Sequence, residues 1–398
     1  MLILRNITKE KGISMNKIKP AKRGSTSILL YANSETDANI LYATDFFAPD
    51  PFIFFRTPRG RRIMVMSDLE IDRAKASSSV HRVLSLTRYT ELAKKRLGNT
   101  PETADIIAEV LKDFRIRKVS VPENFPVGLA DVLRKRKIKV TVKRDPFFPA
   151  RLIKSADEVK EIRKSMRAAE SGMRLAMETL KKSRIKNGFL FYKGRKLTSE
   201  KLKEIINTTI LARGYIPIGT IVAPGKQGCD PHNEGSGPIK AHQPVIIDIF
   251  PRSLKSGYFG DITRTVVRGT PSEKVKNMYR AVLKGQRLGL SMIRDGAKTR
   301  PIHESILDLF NKRGFPTGNI KGRMQGFFHG TGHGLGLEIH ESPRIAVNKL
   351  KLQKGMVVTV EPGLYYTDAG GMRIEDTVLV TKNGIQNLTR FSKNLVIT

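Results

Sequence analysis

At 398 residues the chain exceeds one ordinary domain, and 39% hydrophobic content is enough for more than one core. Its single cysteine excludes an internal disulfide and suits a reducing, cytoplasmic setting, and no apolar run reaches the roughly 18 residues of a membrane span. Lys and Arg number 72 against 37 Asp and Glu, a net charge of +35 with a pI near 10.3. Such a field attracts polyanions, but the basic runs at 17–23, 134–144 and 181–196 lack interleaved aromatics. The expected result is non-specific, salt-dependent nucleic-acid adhesion.

Residues 1–25 are basic and without periodicity, and read as a flexible lead whose apolar start is too short for a signal-peptide core; Met15 is an alternative start. Apolar runs at 27–31, 51–55 and 62–66 predict buried strands. A helix follows at 103–114, then strands at 118–121 and 138–142, an α/β unit over 26–150 with one histidine, His81. Pro146 and Pro149 mark a boundary. Beyond it Ser155-Ala156-Asp157-Glu158 predicts a capping box, with an apolar stripe running to about 181. A second helix spans 199–213 and is stopped by Gly214. A third begins at Thr270-Pro271-Ser272-Glu273, with Pro271 first in the helix and another capping box. The fourth runs over 301–313. Helices alternate with strand pairs, so 151–398 predicts an α+β unit with antiparallel sheet.

Two segments of that half share a design. An apolar strand at 244–248 ends in Asp248, and the returning strand at 260–267 opens with Asp261. Likewise 356–361 ends in Glu361, and 373–380 opens with Glu375. Antiparallel pairing puts both acids of each pair at one end of the ladder. Four carboxylates gathered on one face repel unless cations neutralise them. Between the pairs runs His329-Gly330-Thr331-Gly332-His333-Gly334-Leu335-Gly336-Leu337-Glu338-Ile339-His340-Glu341. Its histidines four apart are not a helical zinc motif, because Gly330 replaces the glutamate and alternating glycines disfavour a helix. An extended backbone, open to a small ligand, is expected. Oxygen-rich ligation with one imidazole favours Mn2+, with Co2+ and Zn2+ as the other candidates, and four carboxylates suit two divalent metal ions.

These motifs, in this order and spacing, resemble the pita-bread metallopeptidases, in their Xaa-Pro aminopeptidase and prolidase branch. The resemblance covers about 26–398, and Asn39-Ile40-Leu41-Tyr42-Ala43-Thr44 looks like the early signature of the branch's creatinase-type amino-terminal domain. It implies a catalytic pita-bread domain over 151–398, preceded by a smaller α/β domain. It also implies five metal ligands: Asp248, Asp261, His333, Glu361 and Glu375. Of these, Asp261 and Glu375 would bridge both ions, Asp248 would complete one shell, and His333 and Glu361 the other. His232 would stabilise or protonate the reacting amide, His340 would lie near the substrate carbonyl, and His329 would border the proline side. Arg373 would hold Glu375 in place.

The implied activity is release of the N-terminal residue from Xaa-Pro peptides by a metal-bridging hydroxide, with Glu361 as proton acceptor and a homodimer as the assembly. The alternative is a non-catalytic relative of the fold that contacts nucleic acid or the ribosome through its basic surface. Cys229 reads as a small buried or semi-exposed side chain, His81, His242 and His303 as structural or exposed, and Tyr365 and Tyr366 as packing residues in preference to lining the site. Two departures stand out: Phe250 replaces the usual glycine two residues after the first ligand, and the connection from Asp248 to Asp261 is about two residues longer than is usual for the family.

Overall fold

The computed structural model describes residues 26–398, so the expected lead at 1–25, its basic run and Met15 lie outside the described residues. The chain divides into two compact units, one ending at Arg151 and one spanning Leu152–Thr398. No helix among the described residues is long and apolar enough to cross a membrane.

The first unit is a six-stranded mixed sheet in the order 82–85, 62–66, 52–56, 27–32, 118–122, 139–143. Its three apolar runs form the antiparallel centre, Ser27–Ala32 against Phe52–Arg56 and that against Arg62–Met66. Leu29, Ile53, Phe55 and Val65 join Ile107, Val110, Leu111 and Leu133 in one core. The helix predicted at 103–114 is Thr103–Asp113. Four helices were not predicted: Ala38–Thr44, Ile71–Ser77, Leu86–Leu97 and Val127–Lys135. Three of them bury two residues or fewer, too little apolar surface for a readable stripe. The other holds the signature at 39–44, with the Asp37 carboxylate accepting from the Ile40 amide at 2.8 Å.

In the second unit the helix Ala156–Lys182 opens on the predicted capping box. The Ser155 hydroxyl accepts from the Glu158 amide at 3.2 Å, and the Glu158 carboxylate accepts from the Ser155 amide at 2.8 Å. Its stripe, Val159, Ile162, Met166, Ala169, Met173 and Leu180, is buried. Ser199–Leu211 packs beside it, Ile206 and Ile210 crowding Gly172. The third helix departs from expectation: it is Glu273–Met292, capped by Ser272, whose hydroxyl accepts from Val275, and Pro271 stays outside. Thr270 is held away because its amide donates to His242 Nδ1 at 2.9 Å, so no capping box forms there. The fourth helix, Thr299–Lys312, begins two residues early, with Pro301 in the first turn, where a missing N–H is harmless.

Both hairpins form. Val245–Ile249 pairs antiparallel with Ile262–Arg268, Asp248 facing Thr263, inside a four-stranded sheet completed by Ile221–Pro224 and Val396–Ile397. Val357–Val360 pairs antiparallel with Asp376–Val380, Val360 facing Asp376, inside a five-stranded sheet. The returning strand therefore starts at Asp376, not at 373. The connection instead folds into its own hairpin, Gly363–Tyr366 against Gly370–Arg373. Bonds that join the sheets at their carboxylate ends include Glu375 N donating to Thr263 O at 3.1 Å and Thr377 Oγ1 to Asp261 O at 2.9 Å.

Candidate metal centre

Each carboxylate stands where a strand begins or ends, so backbone pairing fixes its direction. Asp248 is the fourth residue of its strand; Asp261 directly precedes Ile262–Arg268; Glu361 follows Val360; Glu375 precedes Asp376. His333 is the centre of the short strand Gly332–Gly334, extended as the glycines implied. Glycine is obligatory beside it: a Cβ on Gly332 would sit 1.9 Å from the Thr359 carbonyl oxygen, and one on Gly334 2.4 Å from that of Ser342.

The five predicted ligands converge. Donor atoms of Asp261, His333 and Glu375 all lie within 4.8 Å of one another. His333 Nε2 is 3.6 Å from Asp261 Oδ2 and 3.3 Å from Glu361 Oε1. His333 Nδ1 donates to the Gly334 carbonyl at 3.1 Å, which leaves Nε2 as the ring nitrogen that faces this cluster. Asp248 Oδ2 accepts from Arg373 at 2.7 Å. Asp248 Oδ1 and Glu375 Oε1 are buried with no hydrogen-bond partner. Buried carboxylate oxygens without donors are costly, and a divalent cation is the partner that suits a set of four carboxylates and an imidazole.

The electrostatics agree. Burial, followed by repulsion from Glu375, Asp248 and Glu361, raises Asp261 well above the ordinary carboxylate range. Burial and then repulsion from Glu361 and Asp248 do the same to Glu375. Asp248 is also raised by burial, with Arg373 opposing. Glu361 goes the other way: burial would push it up, but the hydrogen bond and charge of His333 outweigh that and hold it at about 2.

Arg373 supports Glu375 by its charge and through a relay, not by the expected direct contact. Its side chain bonds Asp248, Tyr365 Oη at 3.0 Å and the Pro231 carbonyl, and reaches Glu375 only through Thr263. Thr263 is what steadies Glu375, its hydroxyl donating to Oε2 at 2.8 Å. Beneath both, fully buried Arg264 donates to the Glu375 carbonyl, to Asp376 at 2.9 Å and to the carbonyls of Phe391 and Ser392.

The other candidates line a cleft of about 750 Å³ over the cluster. His232 and His340 are exposed on its walls, the His340 ring packing edge-on against His333 at 4.4 Å between centroids. His329 is half-buried among Phe327, Phe328 and Tyr365. Its Nε2 bonds Tyr365 Oη and its Nδ1 the Gly330 carbonyl, both at 2.8 Å, and desolvation lowers it to about 4. Phe250 forms part of the wall, its ring against Gly219, which takes a positive φ of 58° there. Tyr365, for which packing was preferred over lining the site, bonds both Arg373 and His329, whereas Tyr366 next to it bonds the Pro316 carbonyl and stacks near Phe315. His303 is buried on Thr331, and Cys229 is buried, its thiol pushed up by desolvation to about 11.

The sequence profile of metallopeptidase family M24 matches residues 160–382, more than half of the chain. The chain belongs to this family of metal-dependent peptidases. Its fold is the pita-bread fold of the prolidase branch. The Xaa-Pro dipeptidase of Pyrococcus horikoshii is 32% identical over 311 residues, spanning 77% of this chain and 83% of that one. A crystal structure of the prolidase from the same organism superposes with a TM-score of 0.75 at 27% identity, over 93% of this chain and 95% of that one. The X-Pro aminopeptidase from Thermotoga maritima gives a TM-score of 0.76 at 22% identity, covering 94% and 98%, a likeness of fold alone.

Proposed function

We propose that the chain hydrolyses the bond before proline and so releases the N-terminal residue of Xaa-Pro peptides. The observation that carries this reading is the pair of unsatisfied buried oxygens, Asp248 Oδ1 and Glu375 Oε1, beside Asp261, His333 and Glu361 at the floor of a cleft. The similarity to Xaa-Pro dipeptidases supplies the substrate class. Asp248, Asp261, His333, Glu361 and Glu375 would hold two divalent ions between them; Mn2+ suits the oxygen-rich donors. Bound there, divalent ions acidify water and polarise a carbonyl.

The remaining work falls to side chains. Glu361, ionised at neutral pH, takes the proton of the attacking water and returns it to the leaving nitrogen. His232 and His340, which both line the cleft, donate hydrogen bonds to the developing oxyanion. Arg373 fixes the orientation of Asp248, and Thr263 that of Glu375. Phe328 and Ile339 give the proline ring an apolar wall. The unit ending at Arg151 is read as the creatinase-type amino-terminal domain, and the assembly as a homodimer, testable by sedimentation.

The deciding experiment assays Mn2+-reconstituted protein on Xaa-Pro dipeptides, Xaa-Pro-Yaa tripeptides and matched peptides without proline, with and without chelator. Cleavage restricted to Xaa-Pro bonds and abolished by chelator is expected. Equal cleavage of the controls, or turnover indifferent to chelator, overturns the reading.

A further inference from the structure

The unit ending at Arg151 has a concavity of its own, a groove of about 750 Å³ lined by Arg96, Lys112, Arg115, Arg117, Arg136 and Lys137 over Ala108, Ile116 and Ile138. Glu109 pairs with Arg96 at 2.9 Å and with Lys112 at 3.9 Å, and Asp105 pairs with Arg136. Arg115, Arg117 and Lys137 are exposed and have no ion pair or side-chain hydrogen bond among the described residues. Arg115 (φ 54°) and Lys137 (φ 62°) occupy left-handed positions just past the helices Thr103–Asp113 and Val127–Lys135. Gly or Asn is ordinary there, and each helix end needs only about half a positive charge to answer its dipole. The groove holds more than that. Just outside it Lys118 and Lys139 lie in register on adjacent strands, a like-charge pair that the sheet alone disfavours.

We propose that this groove binds single-stranded nucleic acid through its phosphate backbone. Guanidinium groups fork phosphate oxygens, and a groove lined with unpaired cations is the charge complement of a single phosphate chain running along it. A membrane surface fits less well: the exposed large apolar side chains of this unit, Leu69, Leu92, Val127 and Val142, do not line the groove, so it offers a bilayer no anchor. This proposal is independent of the peptidase reading.

The test measures fluorescence anisotropy of a labelled oligo-uridine with the full chain across a salt series. Arg115→Asn/Arg117→Gln/Lys137→Asn removes three charges while keeping residues that tolerate the left-handed positions. Lys181→Gln/Lys182→Gln/Arg184→Gln removes three elsewhere. The groove variant is expected to bind at least about 10-fold more weakly, its log–log salt slope shallower by about 2, while the control changes less than about 2-fold. Arg117→Gln alone keeps both left-handed residues and is expected to reduce the slope by about 0.7, which covers poor folding of the triple variant. Equal weakening of both triple variants means diffuse charge and overturns the groove. Binding of anionic phosphatidylserine vesicles that is lost with the groove variant, without oligonucleotide binding, assigns the groove to membranes and overturns it too.

Discussion

Replacing Glu375 by glutamine in the metal-free protein tests whether the carboxylate cluster is held together against its own charge. The ligand oxygens of Asp261 and Glu375 lie within 4.8 Å. Two ionised carboxylates at that distance repel by about 3 kcal/mol at an effective dielectric near 20. Both are raised by burial and by the neighbouring acids, so the folded chain retains protons that the unfolded chain loses above about pH 4. The sign follows: the contribution of these groups to stability falls as pH rises from the ordinary carboxylate range through their raised values. Glu375→Gln removes one such group, keeps an acceptor for Thr263 and aims an amide N–H toward Asp261. The stripped variant should match the wild type near pH 5 and exceed it near pH 8 by up to about 3 kcal/mol. For a unit of this size that is roughly 5–10 °C in Tm. Saturating Mn2+ should reverse the order. Scanning calorimetry of chelator-treated protein reads this directly, and a variant no more stable than the wild type near pH 8 refutes the reasoning.

Asp261→Ala should leave the circular dichroism spectrum unchanged and reduce Xaa-Pro hydrolysis to background; retained turnover removes Asp261 from the ligand set. Because protons compete for Asp261 and Glu375, Mn2+ affinity measured by calorimetry should fall as pH is lowered from about 7 toward 5, with protons released on binding; a flat profile contradicts the raised carboxylates. Tyr365→Phe removes the hydroxyl shared by Arg373 and His329 and should lower kcat/KM about 5- to 30-fold at about 1–2 kcal/mol, with metal content unaltered. Phe250→Gly opens the wall beside Gly219 and should improve peptides with bulky N-terminal residues relative to Ala-Pro by about 10-fold or more. An unchanged ratio takes Phe250 out of substrate selection.

Much of the centre could be read before any coordinates because its ligands sit at strand ends, where an apolar run changes to an acid and the pairing rule puts both acids at one end. His333 was picked out from His329 and His340 by the resemblance, whereas the flanking glycines by themselves implied only an extended, open backbone. What escaped depends on which way a side chain points. Tyr365 and Tyr366 are equivalent in sequence, yet alternation along Gly363–Tyr366 sends one to Arg373 and the other to Pro316. The resemblance placed Arg373 on Glu375, but the unforeseen hairpin that ends at Arg373 turns it to Asp248. Thr263 and Thr359 carry no signal beyond β-propensity, although one hydroxyl steadies Glu375 and the other approaches Glu361 at 3.3 Å. At Thr270 a histidine 28 residues upstream determined where the helix begins, a contact no local pattern encodes.

Arg264 has a consequence for handling the protein. One guanidinium grips the backbone of Glu375 and, at the same time, the carbonyls of Phe391 and Ser392, just ahead of the closing strand Val396–Ile397. Nibbling by a carboxypeptidase, or a tag fused after Thr398 that pries this strand loose, would slacken the grip from behind. Damage far along the polypeptide would then register as leaking metal long before the protein looked unfolded.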